Sequence, residues 1–269
     1  MLAMAKTGTW QYIVADSERR EAVIIDSVLD FDPATSKITT DSADKLLEVV
    51  VEHQYTITRI LETHVHADHL TASNYLQRQL QKKGQPYAPI CIGKRIVDVQ
   101  ATFAKTYGIN RAELSTAFDK LFDDGETFWV GRFEGKVLHL PGHTPDHVGY
   151  VIGSNVFTGD SIFNPDVGSA RCDFPGGSAT ALYKSMRTLL ALPSHYRLYT
   201  GHDYPPDSRH ADVQAGGKQR AFTTVAEQLA ENKHVKAGVE EAEFHFPHNH
   251  KVKCKEVFLY AQWLDNAHT

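Results

Sequence analysis

The amino-acid sequence predicts an α/β fold in which two sheets face each other and helices cover their outer sides, an αββα layered architecture. Runs rich in β-branched and aromatic residues alternate with segments of helical spacing along the 269-residue chain. The second half of the chain resembles the first in this layout. No internal repeat, low-complexity tract or long Pro/Gly linker divides it, so we expect residues 1–269 to form a single domain.

In the first half, four segments have the composition that is typical of strands: residues 9–15, 21–27, 56–63 and 88–93. Two segments have apolar residues at helical spacing: residues 41–52 and 70–83. Asp41 or Ser42 is expected to cap the first of these helices, and Gly84 to end the second. Residues 33–40 are predicted to form a loop between strand and helix.

The second half predicts shorter elements separated by turn residues. Strands are predicted at residues 127–130, 136–140, 148–152, 155–159 and 197–201. Helices are predicted at residues 178–192, 222–233 and 254–264. Residues 94–122 have a mixed pattern that favours helix without defining its bounds.

The composition excludes several classes of protein. Hydrophobic residues make up 42% of the chain and charged residues 23%, as in ordinary globular proteins. No apolar run approaches the roughly 18 residues that a membrane-spanning helix needs, and the net charge of −5 argues against nucleic-acid binding. The three cysteines lie far apart, which favours a reducing compartment. We therefore expect a cytoplasmic protein, or a mitochondrial one if the chain is a processed eukaryotic protein.

Residues 64–69 hold the densest group of ligand-type side chains. His64, His66 and Asp68 alternate, so they share one side of an extended chain, and His69 follows at the start of a predicted helix. With 15 histidines in the whole chain, three in six positions is far above background. Imidazole and carboxylate groups are good ligands for zinc, iron and manganese. The pattern predicts a metal site at the end of a strand.

Three other ligand-type residues follow apolar runs in the same way. His143 lies on a Pro-Gly turn after a predicted strand, and Asp160 and His202 each follow a strand and a glycine. Side chains at strand ends in layered α/β proteins converge on a pocket. The glycine before each of them permits a close backbone approach or an unusual dihedral angle.

This order of motifs resembles the metal-site signature of the metallo-β-lactamase fold. The matching motifs are His-x-His-x-Asp-His at 64–69, Gly-His-Thr at 142–144, Thr-Gly-Asp at 158–160 and Gly-His-Asp at 201–203. The resemblance implies two facing mixed sheets with helices outside. These motifs identify the superfamily far better than they identify the reaction.

A finer resemblance is to the persulfide dioxygenase (ETHE-like) branch. The segments that carry it are residues 62–72, 159–163, 170–174, 182–183, 201–204 and 226–232. The resemblance implies one iron(II) per chain, held by His64, His143 and Asp160, with positions left open for substrate sulfur and O2. The other motif residues are implied to orient ligands and waters: His66, Asp68, His69 and His202.

The implied reaction is the oxidation of glutathione persulfide by O2 to sulfite and glutathione. Arg171 is implied to hold a glutathione carboxylate, for which a bidentate guanidinium is suited; a surface ion pair is the alternative. Tyr204 is a candidate hydrogen-bond partner of a bound ligand, or else a core tyrosine. Asp203 is expected to fix its loop. The resemblance also implies a homodimer.

Two other functions remain open from the sequence. A glyoxalase II-like hydroxyacylglutathione hydrolase would use a binuclear zinc or iron site and a bridging hydroxide. Its ligands would be the same seven residues: His64, His66 and His143 on one metal, Asp68, His69 and His202 on the other, and Asp160 between them. The Asn-Pro-Phe-Leu-Arg-like C-terminal segment that such enzymes often carry is absent. A non-catalytic persulfide sensor is the third interpretation.

Several features lie outside these motifs. Residues 98–125 are longer than the corresponding part of short family members, with no assigned role, and would reshape a substrate channel. We expect His139 to pack within its strand and assign His147 a minor part in shaping the site. The cluster at His245, His248 and His250 is expected to be a polar loop.

Overall fold

The described part of the chain, in a computed structural model, comprises residues 2–3, 9–204, 209, 219–236 and 240. The strands are β1 (Leu2–Ala3), β2 (Trp10–Asp16), β3 (Glu21–Ile25), β4 (Val28–Asp32), β5 (Lys37–Thr39), β6 (Thr56–Leu61), β7 (Leu70–Thr71), β8 (Ile90–Gly93), β9 (Lys120–Phe122), β10 (Thr127–Val130), β11 (Phe133–His139), β12 (Val148–Ile152), β13 (Asn155–Gly159), β14 (Arg197–Thr200) and β15 (Phe222–Thr224). The helices with described bounds are α1 (Asp41–Glu52), α2 (Ser73–Lys82), α3 (Ile96–Tyr107), α4 (Arg111–Leu114), α5 (Ala179–Leu190) and α6 (Val225–Glu231).

Two six-stranded sheets form the centre of the fold. The first has the strand order β1-β2-β3-β6-β8-β9, and the second has the order β10-β11-β12-β13-β14-β15. Both sheets are mixed, since β3, β6, β8 and β9 pair in parallel and β13 pairs in parallel with β14. The predicted pair of mixed sheets is therefore confirmed.

Apolar side chains fill three layers. Between the sheets, Tyr12 of β2 meets Phe157 of β13 edge to face, with ring centroids 5.1 Å apart. On the outer side of the first sheet, Leu46 of α1 and Leu76 of α2 belong to a second cluster. On the outer side of the second sheet, a third cluster joins Leu182, Met186 and Leu189 of α5 to strand residues. Helices thus cover both outer faces, which is the predicted αββα order.

Some predicted bounds were wrong. The predicted loop at residues 33–40 contains β5, which pairs with β4 as an antiparallel hairpin. The predicted helix at residues 70–83 starts at Ser73, because residues 70 and 71 form β7 and pair with β4. The predicted helix at residues 222–233 begins with β15, which adds an edge to the second sheet.

The start of α1 and the segment at residues 98–125 also differ from the sequence prediction. Thr40, and not Asp41 or Ser42, is the N-cap residue of α1, and it makes no side-chain cap bond. The segment at residues 98–125 contains most of α3, all of α4 and β9, so it adds both a helical layer and a sheet edge. The predicted helix at residues 254–264 and the histidines at 245, 248 and 250 lie outside the described residues.

Strand direction positions the site. β3 and β6 run parallel in the first sheet, and β11, β13 and β14 run in one direction in the second. The loops that follow β6, β11, β13 and β14 carry His64, His143, Asp160 and His202 respectively. The carboxyl ends of these strands therefore bring four separated sequence motifs to one edge of the facing sheets.

Candidate metal centre

His64, His143 and Asp160 form one compact group. One potential ligand atom from each of the three residues lies within 4.8 Å of the others. His143 Nε2 is 3.7 Å from Asp160 Oδ2. His64 and Asp160 are buried, with exposed fractions of 1% and 6%. The structure thus brings together the two imidazoles and the carboxylate that the resemblance implies as ligands.

A second group lies beside the first. His66, Asp68 and His69 also have ligand atoms within 4.8 Å of one another. His202 connects the two groups, because its Nε2 is 3.2 Å from Asp68 Oδ2 and 3.5 Å from Asp160 Oδ2. All seven ligand-type residues singled out in the sequence therefore converge on one place.

The arrangement fits a cation. His64 Nε2, His66 Nδ1 and both ring nitrogens of His69 are buried and have no hydrogen-bond partner within the described chain. Buried polar atoms are nearly always paired, and an unpaired one costs about 1–3 kcal/mol. An imidazole nitrogen that points into a group of imidazoles and carboxylates is satisfied by a metal ion. These residues are therefore candidate metal ligands.

Burial keeps two of these imidazoles neutral. Burial, followed by the neighbouring imidazoles, holds the pKa of His64 well below its usual range. Burial likewise lowers the pKa of His69 to about 4. A metal ligand must present a lone pair, and a neutral imidazole does so. At neutral pH both rings are ready to bind a cation without first losing a proton.

The acidic side of the centre behaves differently. Burial disfavours the charged form of His66, but hydrogen bonds to Asp26 and Glu62 outweigh it and raise the pKa of His66. Burial also opposes ionisation of Asp160, yet His202 and the other imidazoles hold the pKa of Asp160 well below its usual range. Asp160 is consequently a carboxylate at neutral pH, as a ligand must be.

Two glycines permit the close packing of this centre. Gly159 has φ +48°, and a Cβ atom there would lie 2.4 Å from Thr63 Oγ1. A Cβ atom on Gly201 would lie 2.3 Å from Asp160 Oδ1. Distances this short exclude any larger residue without movement of the ligand loops. The glycines that precede Asp160 and His202 in the sequence serve the close approach that was expected.

His147 has a larger part than the sequence indicated. It is fully buried, and its Nε2 accepts the backbone N–H of Asp160 at 3.0 Å. Its Nδ1 lies 3.3 Å from Ser161 Oγ, and its ring stacks on His64 with centroids 4.6 Å apart. His147 thus contacts two candidate ligands: it accepts a hydrogen bond from the backbone of Asp160, and its ring packs against His64. His139, in contrast, is 3.2 Å from the carbonyl oxygen of Pro145 and is half-buried.

Asp26 and Glu62 were also missed. Both are 2% exposed, and both lie within 3.3 Å of His66 Nε2. Asp26 follows β3 directly, with φ +51°, so it ends an apolar strand just as Asp160 does. The same signal, a carboxylate at a strand end, would have found Asp26 in the sequence.

Arg171 and Tyr204, the residues expected to contact a substrate, lie at the solvent-exposed rim of the candidate metal centre. His143 Nδ1 is 2.7 Å from the backbone oxygen of Arg171, whose side chain is 62% exposed and 3.5 Å from Asp173. Tyr204 stacks on His202 with ring centroids 4.6 Å apart, and it is 44% exposed. The alternative of a core tyrosine is thus wrong. Asp203 is buried and accepts hydrogen bonds from Asn164 and from the backbone of Arg220, as expected of a loop-fixing residue.

A family model described as "Metallo-beta-lactamase superfamily" matches residues 6–202. The chain belongs to the metallo-beta-lactamase superfamily. The crystal structure of ETHE1 from Myxococcus xanthus is similar, with a TM-score of 0.72 and 30% identity over 97% of this chain and 95% of that one. The candidate metal ligands therefore lie on a fold of this superfamily, at the edge where the carboxyl ends of its strands meet.

Curated relatives carry differing names. A "Beta-lactamase hydrolase-like protein" of Xylella fastidiosa is 44% identical over 89% of this chain, which spans only 52% of that relative. "Glyoxylase B2" of Dictyostelium discoideum is 41% identical over 89% of this chain and 78% of its own length. Human "Persulfide dioxygenase ETHE1, mitochondrial" is 32% identical over 73% of this chain and 64% of its own length. In the described residues no helix has the length and apolar character for crossing a membrane.

The buried His147 makes the metal-free protein sensitive to acid. Burial lowers the pKa of His147 to about 3, whereas an unfolded chain has a histidine pKa near 6.5. Between these values the unfolded state binds more protons, so stability falls as the pH falls, by up to about 1.4 kcal/mol per pH unit. We predict a shallower fall for His147→Phe. The check is the free energy of unfolding measured from pH 7 to pH 4.

The matched control for this experiment is His139→Phe, in the same segment but without a bond to Asp160. Its slope should equal that of the unaltered protein. An unchanged slope in His147→Phe would contradict the assignment.

Proposed function

We propose that this chain is an iron-dependent persulfide dioxygenase that oxidises glutathione persulfide with O2 to sulfite and glutathione. The observation that carries the proposal is the group of two imidazoles and one carboxylate at His64, His143 and Asp160. Iron(II) held by such a group would supply the redox chemistry for O2, because three protein ligands leave coordination positions for the substrate sulfur and O2. Similarity to ETHE1 along almost the whole chain supports the same function.

The overall reaction balances without a further cofactor. Glutathione persulfide, O2 and water give glutathione, sulfite and two protons. The outer sulfur of the persulfide is oxidised, the sulfur–sulfur bond breaks, and O2 is reduced. The residues around the site have to fix the three proposed metal ligands, bind the glutathione part of the substrate and keep a hydrogen-bond donor near the reacting sulfur.

Each proposed ligand is held by a protein partner. His143 is oriented through its Nδ1, 2.7 Å from the carbonyl oxygen of Arg171, which leaves Nε2 directed towards Asp160. His64 is oriented through its Nδ1, 2.9 Å from Thr63 Oγ1. The backbone N–H of Asp160 donates to His147. Such partners fix ring orientation and increase metal affinity.

The rim residues are suited to the substrate. The Arg171 guanidinium is largely exposed and forms the surface ion pair with Asp173 that the sequence left as the alternative. In the proposed function it would exchange this partner for a glutathione carboxylate. The partial burial of the phenol, together with the nearby carboxylates of Asp160 and Asp68, raises the pKa of Tyr204 well above its usual value. Tyr204 is therefore protonated at neutral pH, and its phenol can donate a hydrogen bond to a bound sulfur or oxygen.

A glyoxalase II-like hydrolase is the second candidate. The observation in its favour is the adjacent group at His66, Asp68 and His69, which offers ligands for a second metal, together with the unpaired nitrogens of His69. The names of the Xylella and Dictyostelium relatives point in the same direction. In this candidate the two groups would hold two metals, with Asp160 a ligand available to both, and the metals would supply an activated water for the hydrolysis of a thioester.

Oxygen uptake separates the two candidates. Protein loaded with iron(II) is expected to consume O2 and release sulfite when glutathione persulfide is added. Zinc-loaded protein should do neither, because zinc has no redox chemistry. The measurement uses an oxygen electrode, with S-lactoylglutathione hydrolysis assayed in parallel. Thioester hydrolysis without O2 uptake, with two metals bound per chain, would replace the dioxygenase by the hydrolase.

Metal retention tests the ligand set. His64→Ala, His143→Ala and Asp160→Ala should each lose bound iron, with a larger fall in affinity than the roughly 10–100-fold that loss of an outer partner costs. The measurement is iron content after dialysis against a chelator, with His139→Ala as the matched control. Full iron retention in the three variants would exclude these residues as ligands.

Arg171 gives a separate prediction about the substrate. Arg171→Ala keeps the backbone carbonyl that orients His143, so iron content should not change. Loss of a charged hydrogen bond to the substrate should raise KM roughly tenfold while kcat stays within about twofold. The measurement is the dependence of O2 uptake on persulfide concentration, with the exposed Arg19→Ala as the control. A KM equal to that of the unaltered protein would remove Arg171 from the substrate site.

A further inference from the structure

The hydroxyl group of Thr63 joins a buried carboxylate to a proposed metal ligand. Thr63 is fully buried and immediately precedes His64 in the loop after β6. Its Oγ1 lies 2.9 Å from Asp26 Oδ2 and 2.9 Å from His64 Nδ1. Its backbone N–H donates to Asp26 Oδ1 at 2.8 Å, and its backbone oxygen accepts from Val148 at 2.8 Å. The backbone N–H, the backbone oxygen and the hydroxyl group of Thr63 therefore all have hydrogen-bond partners.

The donors and acceptors in this chain can be arranged in one way. A carboxylate can only accept, so the single hydroxyl proton of Thr63 goes to Asp26. Thr63 Oγ1 then has only lone pairs to offer to His64, and the proton between them has to belong to His64 Nδ1. A neutral imidazole with a proton on Nδ1 has its lone pair on Nε2, the buried nitrogen without a hydrogen-bond partner in the described residues.

We propose that Asp26, acting through the hydroxyl group of Thr63, sets the tautomer of His64 and so keeps Nε2 available to the metal. We call this connection the Asp26–Thr63 relay. Asp26 and Thr63 are positioning residues, because they act through His64. The inference rests on the proposed role of His64 as a metal ligand, which the dioxygenase and the hydrolase candidates share.

The same carboxylate acts on a second histidine. Asp26 Oδ1 is 3.3 Å from His66 Nε2, and Glu62 Oε2 is 3.2 Å from the same nitrogen. Two carboxylates hold a proton on Nε2, so Nδ1 is the nitrogen through which His66 would bind a metal once it gives up its own proton, and Nδ1 has no hydrogen-bond partner among the described residues. Asp26 thus contacts the nitrogen that faces away from the metal site on His66 directly and on His64 through Thr63, two neighbouring rings whose centroids are 4.2 Å apart.

Close packing fixes the positions of Asp26 and Thr63 in the relay. Gly159 leaves room for Thr63 Oγ1, which a Cβ atom at position 159 would approach to 2.4 Å. Asp26 itself is anchored by its backbone N–H, which donates to the oxygen of Leu61 at 3.0 Å. The hydroxyl group therefore has little freedom to turn away from either partner.

Asp26→Asn tests the relay because it reverses the polarity of one atom. The amide oxygen has to face the Thr63 N–H, since the opposite orientation would set two donors against each other. The amide nitrogen then faces Thr63 Oγ1 and donates to it. The hydroxyl proton turns to His64 Nδ1, and the imidazole proton moves to Nε2, where it opposes metal binding. We expect zinc affinity to fall roughly 10–100-fold.

The first measurement is the affinity for zinc alone, by competition with a chromophoric chelator. The matched control is Asp30→Asn. Asp30 accepts the backbone N–H and the hydroxyl of Ser42, each at 2.8 Å, in the same manner as Asp26 but with no histidine beyond. Asp30→Asn should bind zinc as the unaltered protein does. Equal affinity in Asp26→Asn, or an equal loss in Asp30→Asn, would overturn the proposal.

The second measurement reads the tautomer directly. Two-bond proton–nitrogen NMR spectra of the metal-free protein should show the His64 proton on Nδ1, and on Nε2 in Asp26→Asn. A proton on Nε2 in the unaltered protein would overturn the relay. This spectrum does not respond to a general loss of stability, so it separates positioning from a merely structural role.

Two substitutions at Thr63 cover the case in which Asp26→Asn does not fold. Thr63→Ser keeps the hydroxyl and should retain zinc affinity within about threefold, whereas the isosteric Thr63→Val should lose it as Asp26→Asn does. Equal affinities for the two variants would refute the relay. None of these measurements involves O2 or persulfide, so failure of the dioxygenase assay and failure of the relay are distinguished.

Discussion

Imidazole nitrogens buried without a protein partner are the constraint on which the rest of this structure depends. His64, His66 and His69 hold four such atoms in the described chain, and each would cost about 1–3 kcal/mol if nothing took its lone pair. A cation removes that cost, and the same burial that lowers the pKa of His64 and His69 keeps their lone pairs free. The surrounding carboxylates, Asp160 among them, balance the charge that a metal would bring.

The two sheets hold the ligand loops in fixed positions, so that many ligand side chains can lie close together. Ligand loops leave the carboxyl ends of parallel strands, which the core between the sheets holds rigidly. Each loop has few residues between its strand and its ligand, and Gly159 and Gly201 let adjacent loops touch. The packing between the sheets therefore preorganises the candidate ligands. The residues that hydrogen-bond to the ligand loops, such as His147, are themselves buried.

Much of this could be predicted from the sequence, because the signals were local. The bounds of β10, β12, β13 and α1 follow from composition and spacing alone. The short strands β4, β5 and β7 did not, since their pairing partners lie up to about 40 residues away and each has little pattern of its own. All seven motif residues converge as expected from strand ends. His147 was given too small a part because its role arises from a hydrogen bond between separate segments, which no spacing records. Asp26 and Glu62 were missed although each directly follows a strand, because their contacts with His66 form only in the folded loop.

The bond between His143 and Arg171 has a consequence for how such a site diverges. The imidazole contacts the main-chain oxygen at position 171 and not the side chain. Any amino acid at that position supplies the same oxygen, so the exposed side chain can be exchanged while the support of the histidine stays unchanged. In the proposed function, substrate preference and metal support would therefore be encoded in different atoms of one residue, and a change of substrate would not require a change in the support of the metal ligand.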